Sequence, residues 1–452
     1  MPTTLLYLFL MLAIILAWFA WFKRPIYEAV FVSFAVLMTI TGHWADLGTY
    51  VNKALSTSLL YSMISFVSLS IILTKTHVID SCIALIISIL GHVRGGAGYA
   101  AIISSAFLGA LSGSGPGNVM ASGSFTIPAM KRSGFPPELA ANIESNASYM
   151  GNMIPPSSNI LAAMGAYIAL YPESHITNSH FWAVMWGLSL WFILQRIVMV
   201  WAFCKYYKVA PMAKEDIPNF WETVKSGWQA FILPAIILFP FLLDYLYKDS
   251  FFTERLGANG AKYFSSSILL FIGGVASIYA CLICKNKEVR HPQYIAKLFS
   301  DSIKSISPSI GVCVFGYMIG ALFNDLKLAD ELGLVIASWN FNMLGTVLAV
   351  CIITCIMGMV IPGSSLVVIF GPMFITTLAN SGVNPLIAAA MLPCICGVMC
   401  GITPPLGLGM YAGMTLAESD FQKTYNNNLW WVAAQFILEV IVLMGFLPVL
   451  GL

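Results

Sequence analysis

The sequence predicts an all-α polytopic membrane protein made of two inverted repeats, each with about five crossings, an interfacial arm helix and a re-entrant helical hairpin. Three observations carry this. Of its 452 residues, 59% are hydrophobic and 9% charged, and the mean hydropathy of +0.83 lies well above that of a soluble domain. Apolar runs long enough to cross about 30 Å of hydrocarbon recur from end to end. A polar segment rich in Gly, Pro and Ser interrupts this background twice, about 249 residues apart. The first copy is Leu111-Ser-Gly-Ser-Gly-Pro-Gly-Asn118 with Met153-Ile-Pro-Pro-Ser-Ser158; the second is Val360-Ile-Pro-Gly-Ser-Ser365 with Ile402-Thr-Pro-Pro-Leu-Gly407. Unpaired backbone at membrane depth is tolerated only where protein or water covers it. Two such places in matching halves point to a transporter's binding site.

Taken in order, crossings are expected at 5–22, 26–42, 57–74, 136–170 and 181–204, then at 228–247, 263–284, 307–323, 385–416 and 429–450. The first run has the apolarity of a signal peptide. No small-residue cleavage site follows it, and Lys23-Arg24-Pro25 does, so it reads as a retained helix. Segments 78–93 and 329–343 are amphipathic and precede the irregular segments, as arms lying along the membrane surface do. The first repeat then covers 1–204, with a hairpin at about 98–131 and a broken helix at about 136–170. A polar cytoplasmic linker with Pro211 and Pro218 occupies 205–226. The second repeat covers 227–452, with a hairpin at about 348–379 and a broken helix at about 384–418. Gly-Phe-Pro-Pro137-Glu-Leu-Ala-Ala141 facing Gly-Val-Asn-Pro385-Leu-Ile-Ala-Ala389 carries the repeat at residue level.

Charge placement tests this order independently. With 22 basic and 20 acidic residues the net charge points to no nucleic-acid partner. Basic clusters at Lys23/Arg24, Lys131/Arg132, Lys205/Lys208/Lys214 and Lys285 to Lys304 all fall inside if the N-terminus is outside and the first hairpin enters from the cytoplasm. The second hairpin then enters from outside, and an odd number of crossings makes the halves inverted copies. Both termini are expected on the periplasmic side. The ten cysteines lie mostly in apolar runs without the His or carboxylate partners of a metal site, and read as packing residues.

Each tip offers free helix ends, small residues and hydroxyls. Gly115 and its neighbouring glycines allow tight turns, and Ser112, Ser114 and Asn118 add neutral oxygens; Pro362, Gly363, Ser364 and Ser365 do the same in the second tip. Hydroxyls and carbonyls without a fixed negative charge suit a monovalent cation such as Na⁺, whereas divalent ions normally require carboxylates. Pro155/Pro156 and Pro404/Pro405 remove amide donors and clash with the preceding turn. They unwind the neighbouring helix and free carbonyls near Met153, Ile154, Ile402 and Thr403. Helix N-termini facing the same cavity attract a substrate carboxylate.

These residues carry a family resemblance. Gly91-His-Val-Arg-Gly-Gly96, Ser112-Gly-Ser114, Ile127-Pro-Ala-Met-Lys-Arg132, Ile154-Pro-Pro156 and Ile402-Thr-Pro-Pro-Leu-Gly-Leu408 resemble the large membrane subunit of tripartite ATP-independent periplasmic (TRAP) transporters. The match spans about 137 residues, 91–164 and 358–420. It implies an elevator-type transporter in the bacterial inner membrane that takes up an organic acid, C4-dicarboxylate-like in class, with Na⁺ as coupling ion and no other cofactor or metal. It also implies two partners: a periplasmic substrate-binding protein, and a small four-helix membrane subunit for which this chain has no room as a fusion. It assigns one Na⁺ site to Ser112, Ser114, Gly115 and the carbonyls before Pro155, and a second to Gly363, Ser364 and the carbonyls around Ile402 and Thr403. Pro116-Gly117-Asn118, Asn146 and Asn152 depart from the family's pattern.

Charged or polar groups inside spans are functional suspects. Arg196 and Glu439, in the last crossing of each half, are candidates for pairing or for contact with the small subunit. Asn152, Ser157 and Arg94 are candidates for substrate or coupling roles, Arg94 alternatively as a headgroup anchor. Glu144 is either a coupling group or a hydrated structural position. A stand-alone anion carrier of the same architecture is the alternative function. An intramembrane enzyme is remote, since the sequence offers no activated nucleophile or metal set.

Overall fold

The computed structural model describes the chain except residues 1–2, 21, 23–25, 57, 77, 113–114, 175, 285, 329–330, 332–340, 359–362, 404–406 and 452. Gly113, Ser114, Pro362, Pro404, Pro405, Lys23, Arg24, Lys285 and most of the second arm therefore lie outside the described residues. The described residues form helices and no strand. The first half contains α1 (Thr3–Ala20), α2 (Ile26–Thr41), α3 (Leu47–Leu55), α4 (Ser58–Thr76), α5 (Val78–Leu90), α6 (Gly96–Ser112), α7 (Gly115–Arg132), α8 (Pro137–Met150), α9 (Ser158–Leu170) and α10 (Asn178–Tyr206). After α11 (Phe220–Gly227) come α12 (Ile232–Tyr247), α13 (Thr253–Ile283), α14 (Pro292–Asp325), α15 (Met343–Gly358), α16 (Gly363–Asn380), α17 (Pro385–Leu392), α18 (Met399–Ile402), α19 (Leu408–Ala417) and α20 (Phe421–Leu443). Among the described residues five helical stretches are long and apolar enough to cross a membrane, Pro137–Leu170 and Asn178–Tyr206 among them, and several shorter helices are apolar as well.

Helix–helix packing interleaves the two halves. α4 lies on α13 and α2 on α14, while the second arm of each hairpin packs on the post-break helix of the opposite half, α7 on α19 and α16 on α9. Small residues make such approaches close where lipid offers no hydrophobic driving force between helices. A Cβ at Gly151 would overlap the backbone of Gly109 and Ala110, which ties the first break to α6.

Several elements differ from the sequence expectation. The segment between the second and third crossings holds α3, which buries Tyr50 and Ala54 and packs on α14; its alternation is too short to register as a span. The linker ends in a helix, because Asn219 accepts bonds from the backbone amides of Trp221 (3.0 Å) and Glu222 (3.3 Å) at the start of α11. α11 then packs on the arm α5 and leaves Trp221 and Trp228 exposed, as aromatic residues at a membrane interface are. The last helix runs earlier than expected. Asp420 starts it by accepting from the Lys423 amide at 3.0 Å, and it ends at Leu443 before Gly445, whose φ is 76°. In the second broken helix, Pro393 opens a π-helical turn, Pro393–Val398, ahead of α18, since a residue without an N–H cannot hold the regular ladder.

Candidate functional site

At the first break the helix stops at Met150, makes one tight turn over Gly151–Met153, and becomes extended at Ile154, with φ −98° and ψ 125°. Ser157 restarts it, its side chain accepting from the Asn159 amide at 3.2 Å. At the second break Thr403 is extended, with φ −99° and ψ 118°, and α19 restarts at Leu408. The first tip lies between α6, closed by Ser112, and α7, opened by Gly115; the second lies between α15 and α16, opened by Gly363.

Tips and breaks of both halves meet. Asn152 donates from Nδ2 to the Gly397 carbonyl at 3.1 Å, joining the first break to the π-helical turn of the second broken helix. A Cβ at Gly363 would lie 2.5 Å from the Gly397 Cα, so the second tip reaches the same turn only as glycine. The Tyr149 ring fills the other side of this junction. It occupies the space a Cβ would take at Gly115 in the first tip and at Gly401 and Gly409 around the second break.

The carbonyls freed by the breaks are already engaged. Ser189 Oγ on α10 stands 2.7 Å from both Met153 O and Met185 O and shares its one proton between them, and the Ser157 amide donates to Ile154 O at 3.1 Å. Asn428 Nδ2 on α20 donates to Ile402 O at 2.5 Å and the Gly407 amide to Thr403 O at 3.0 Å. A carbonyl oxygen has two lone pairs, so one such bond does not by itself fill it. The Thr403 hydroxyl is turned to Met399 O, 2.7 Å away. In the second tip Ser365 is buried and Ser364 is exposed; adjacent helical residues point about 100° apart, so the two hydroxyls face different surroundings.

Other sequence-selected residues have structural engagements. Asn118 donates from Nδ2 to Ser105 O (2.7 Å) and Ser148 Oγ (2.9 Å), tying α7 to α6 and α8. Arg94 donates to Cys204 O (3.2 Å) and Val209 O (2.9 Å), holding the C-terminal end of α10. It sits at the opposite end of α6 from the tip, about 25 Å away along a helix of that length, which removes it from the junction. Arg196 and Glu439 are 1% and 0% exposed, so contact with another subunit is not a role their positions offer. No ion pair joins them. Arg196 donates to Asn146 O, Phe192 O and Gln195 Oε1, while Glu439 accepts from Gln435 at 2.8 Å and from the Cys394 thiol at 3.4 Å. Arg196 Nη2 and Glu439 Oε2 have no hydrogen-bond partner among the described residues.

Glu144 is wholly enclosed rather than hydrated, and accepts from the hydroxyls of Ser105, Ser122, Thr126 and Ser148. Sequence reading missed these partners, although Ser122/Thr126 and Glu144/Ser148 stand four apart, as side chains sharing a helix face do. It also missed buried Asp244 on α12, which accepts from Ser179 on α10, and a cavity of about 400 Å³. That cavity lies between α9, α14 and α16, lined by Gly165, Ala166, Gly316, Gly320 and Pro372 together with the polar residues Lys53 and Asn324. Among the described residues no group of three or more His, Cys, Asp or Glu side chains is placed to hold a metal.

Comparison with known proteins places this arrangement. The family model described as the tripartite ATP-independent periplasmic transporter, DctM component, matches residues 3–450. The C4-dicarboxylate TRAP transporter large permease protein DctM of Pseudomonas aeruginosa is 25% identical over 367 residues, 80% of this chain and 78% of that protein. The 2,3-diketo-L-gulonate TRAP transporter large permease protein YiaN of Escherichia coli is 23% identical over 411 residues, 88% of each chain. The crystal structure of the Alcanivorax borkumensis YdaH transporter superposes with a TM-score of 0.60 at 16% identity, covering 88% of this chain and 89% of that one, a likeness of fold.

Proposed function

The chain belongs to the tripartite ATP-independent periplasmic transporter family as its DctM component, the large permease subunit, and from that premise we propose that it imports a small organic acid across the bacterial inner membrane together with Na⁺. The observation that carries this reading is the meeting of both tips and both breaks at Tyr149, Asn152 and Gly397. Residues about 249 positions apart bring free helix ends and neutral oxygens to one junction. Such oxygens suit a monovalent ion that sheds its water easily. Ser112, Ser114, Gly115, Met153 and Ile154 make up the first ligand set; Gly363, Ile402, Thr403 and one of the two hydroxyls at Ser364 and Ser365 make up the second.

The N-termini of α7 and α16 begin at the tips and bring partial positive charge to a substrate carboxylate. The names of two relatives, one for C4-dicarboxylate and one for 2,3-diketo-L-gulonate, support an organic acid as the class. A periplasmic binding protein delivers the acid, and a small four-helix membrane subunit completes the complex. The part bearing the hairpins moves as an elevator against the rest, and the cavity between α9, α16 and α14 lies on that boundary. Both termini are periplasmic.

Proteoliposomes holding this chain with its small subunit test the reading. Uptake of labelled organic acids is expected only with the binding protein outside and an inward Na⁺ gradient. Robust uptake by this chain alone, without a binding protein, would instead establish a stand-alone carrier.

A further inference from the structure

Glu144 lies midway along α8 with no exposed surface. Ser122 Oγ (2.5 Å) and Ser148 Oγ (2.9 Å) donate to its Oε1, while Thr126 Oγ1 (2.5 Å) and Ser105 Oγ (3.0 Å) donate to its Oε2. An ionised carboxylate only accepts, at about four positions, and this cage supplies four donors. Two of those hydroxyls have a second acceptor within reach. Ser122 Oγ is 2.8 Å from Asn118 O, and Thr126 Oγ1 is 3.1 Å from Ser122 O.

A hydroxyl carries one proton and rotates. With Glu144 ionised, the Ser122 and Thr126 protons point at the carboxylate. With Glu144 protonated, one of these hydroxyls turns its own proton to its backbone carbonyl and accepts the carboxyl proton in return. Both states are fully hydrogen-bonded, and they differ by one proton and one unit of charge. The cage oxygens touch at 2.5–3.0 Å. They leave no space for a metal ion, whose oxygen ligands stand about 2.0–2.6 Å from it and farther than that from one another.

Among the described residues no charged group of the surrounding helices bonds to the Glu144 carboxylate, whose partners are the four hydroxyls. On α7, Lys131 donates to Ala417 O and Arg132 pairs with Asp216 at 3.0 Å. Arg196 on α10 reaches α8 itself, donating to the Asn146 carbonyl at 3.4 Å and to Gln195 Oε1, while Glu439 on α20 accepts from Gln435. Of the tyrosines, Tyr149 on α8 fills the glycine junction, Tyr99 on α6 lies beside Gly95, and Tyr411 on α19 stacks on Phe421. Lys423, in the first turn of α20, is exposed.

We propose that Glu144 and its four hydroxyls form a proton-binding site of the transport cycle, separate from the two tip sites and linked to the first by the Asn118–Ser148 bond. The proton comes from water, bonds to a carboxyl oxygen, and turns a charge of −1 into a neutral acid that crosses hydrocarbon far more easily.

The proposal rests on the importer reading, so the test has a spectroscopic arm that needs no transport. Infrared difference spectra of the full chain with its small subunit, recorded as pH is stepped, are expected to contain a protonated-carboxyl C=O band that titrates and is lost in Glu144→Gln. Thr126→Val removes one turning hydroxyl and keeps the carboxyl; its band is expected to persist to higher pH, because the ionised form has lost a donor. A Glu144 band absent at every pH, or present and unchanged at every pH, overturns the proposal. In proteoliposomes with the binding protein, an inward pH gradient at fixed Na⁺ is expected to accelerate wild-type uptake, with complete loss of that acceleration in Glu144→Gln. Uptake that runs on Na⁺ but ignores the pH gradient overturns the proton site and leaves the importer reading standing. A titrating band without uptake under any gradient overturns the importer reading and the transport role together.

Discussion

Replacing Asn118 by Ala separates a structural tie from an ion ligand. The sequence selects Asn118 as a cation ligand, whereas its amide nitrogen is bonded to Ser105 O at 2.7 Å and Ser148 Oγ at 2.9 Å. Each bond contributes a net of about 1 kcal/mol, so losing both costs roughly 2 kcal/mol. Neither acceptor is stranded by the loss, because Ser148 Oγ still donates to Glu144 and the Ser105 carbonyl lies within the helical ladder of α6. A ligand role has a different signature. Bound Na⁺ stabilises the folded chain by about 2.7 kcal/mol at one hundred times its dissociation constant, and that part disappears only when Na⁺ is present. Denaturation in detergent across a series of Na⁺ concentrations at constant ionic strength reads the two apart. The structural tie predicts a loss of roughly 2 kcal/mol that is the same at every Na⁺ concentration. A loss confined to high Na⁺, or no loss at all, would refute it.

Three further outcomes follow from the same geometry. Ser365→Ala and Ser364→Ala are expected to differ: the buried hydroxyl and the exposed one cannot both face one ion, so the Na⁺ activation curve of uptake shifts in one variant and equal shifts in both would contradict the split. Gly401→Ala places a Cβ inside the Tyr149 ring and should destabilise the chain by about 1–3 kcal/mol, as overpacking does; thermal unfolding checks this, and Tyr149→Ala in the same chain should recover part of the loss. Asn219→Ala removes the cap of α11, worth about 1 kcal/mol, and should speed proteolysis of the segment after Lys214; an unchanged cleavage rate would mean that packing on α5 alone holds the helix.

The helical class was legible because it follows from composition and run length, which need no neighbours. The tip glycines and the prolines at 155–156 were equally legible, because a residue without an N–H or without a Cβ constrains its own backbone wherever it sits. Engagement of the side chains was not. Ser189 on Met153 O, Asn428 on Ile402 O and Asn152 on Gly397 O join residues 26 to 245 positions apart in the chain. Spacing within one helix carries no record of such pairs. Arg94, between arm and hairpin, was a candidate for a substrate role as well as for a headgroup anchor, and a helix of 17 residues puts the tip at the far end from it. Arg196 and Glu439 looked like contacts for another chain because charge is costly in hydrocarbon, yet both turn inward and are buried by their own chain.

By itself, then, the sequence determined an apolar helical chain, interrupted twice by the same kind of break, with the resemblance that these breaks carry. Those properties are local, set by backbone sterics and by the hydropathy of contiguous runs. Only the tertiary structure decided that Tyr149 is enclosed by glycines from both halves, that the freed carbonyls already have donors, and that Glu144 is caged by hydroxyls from three helices. Each depends on which faces meet when helices pack, and a buried polar group takes whatever partner that packing brings within about 3 Å.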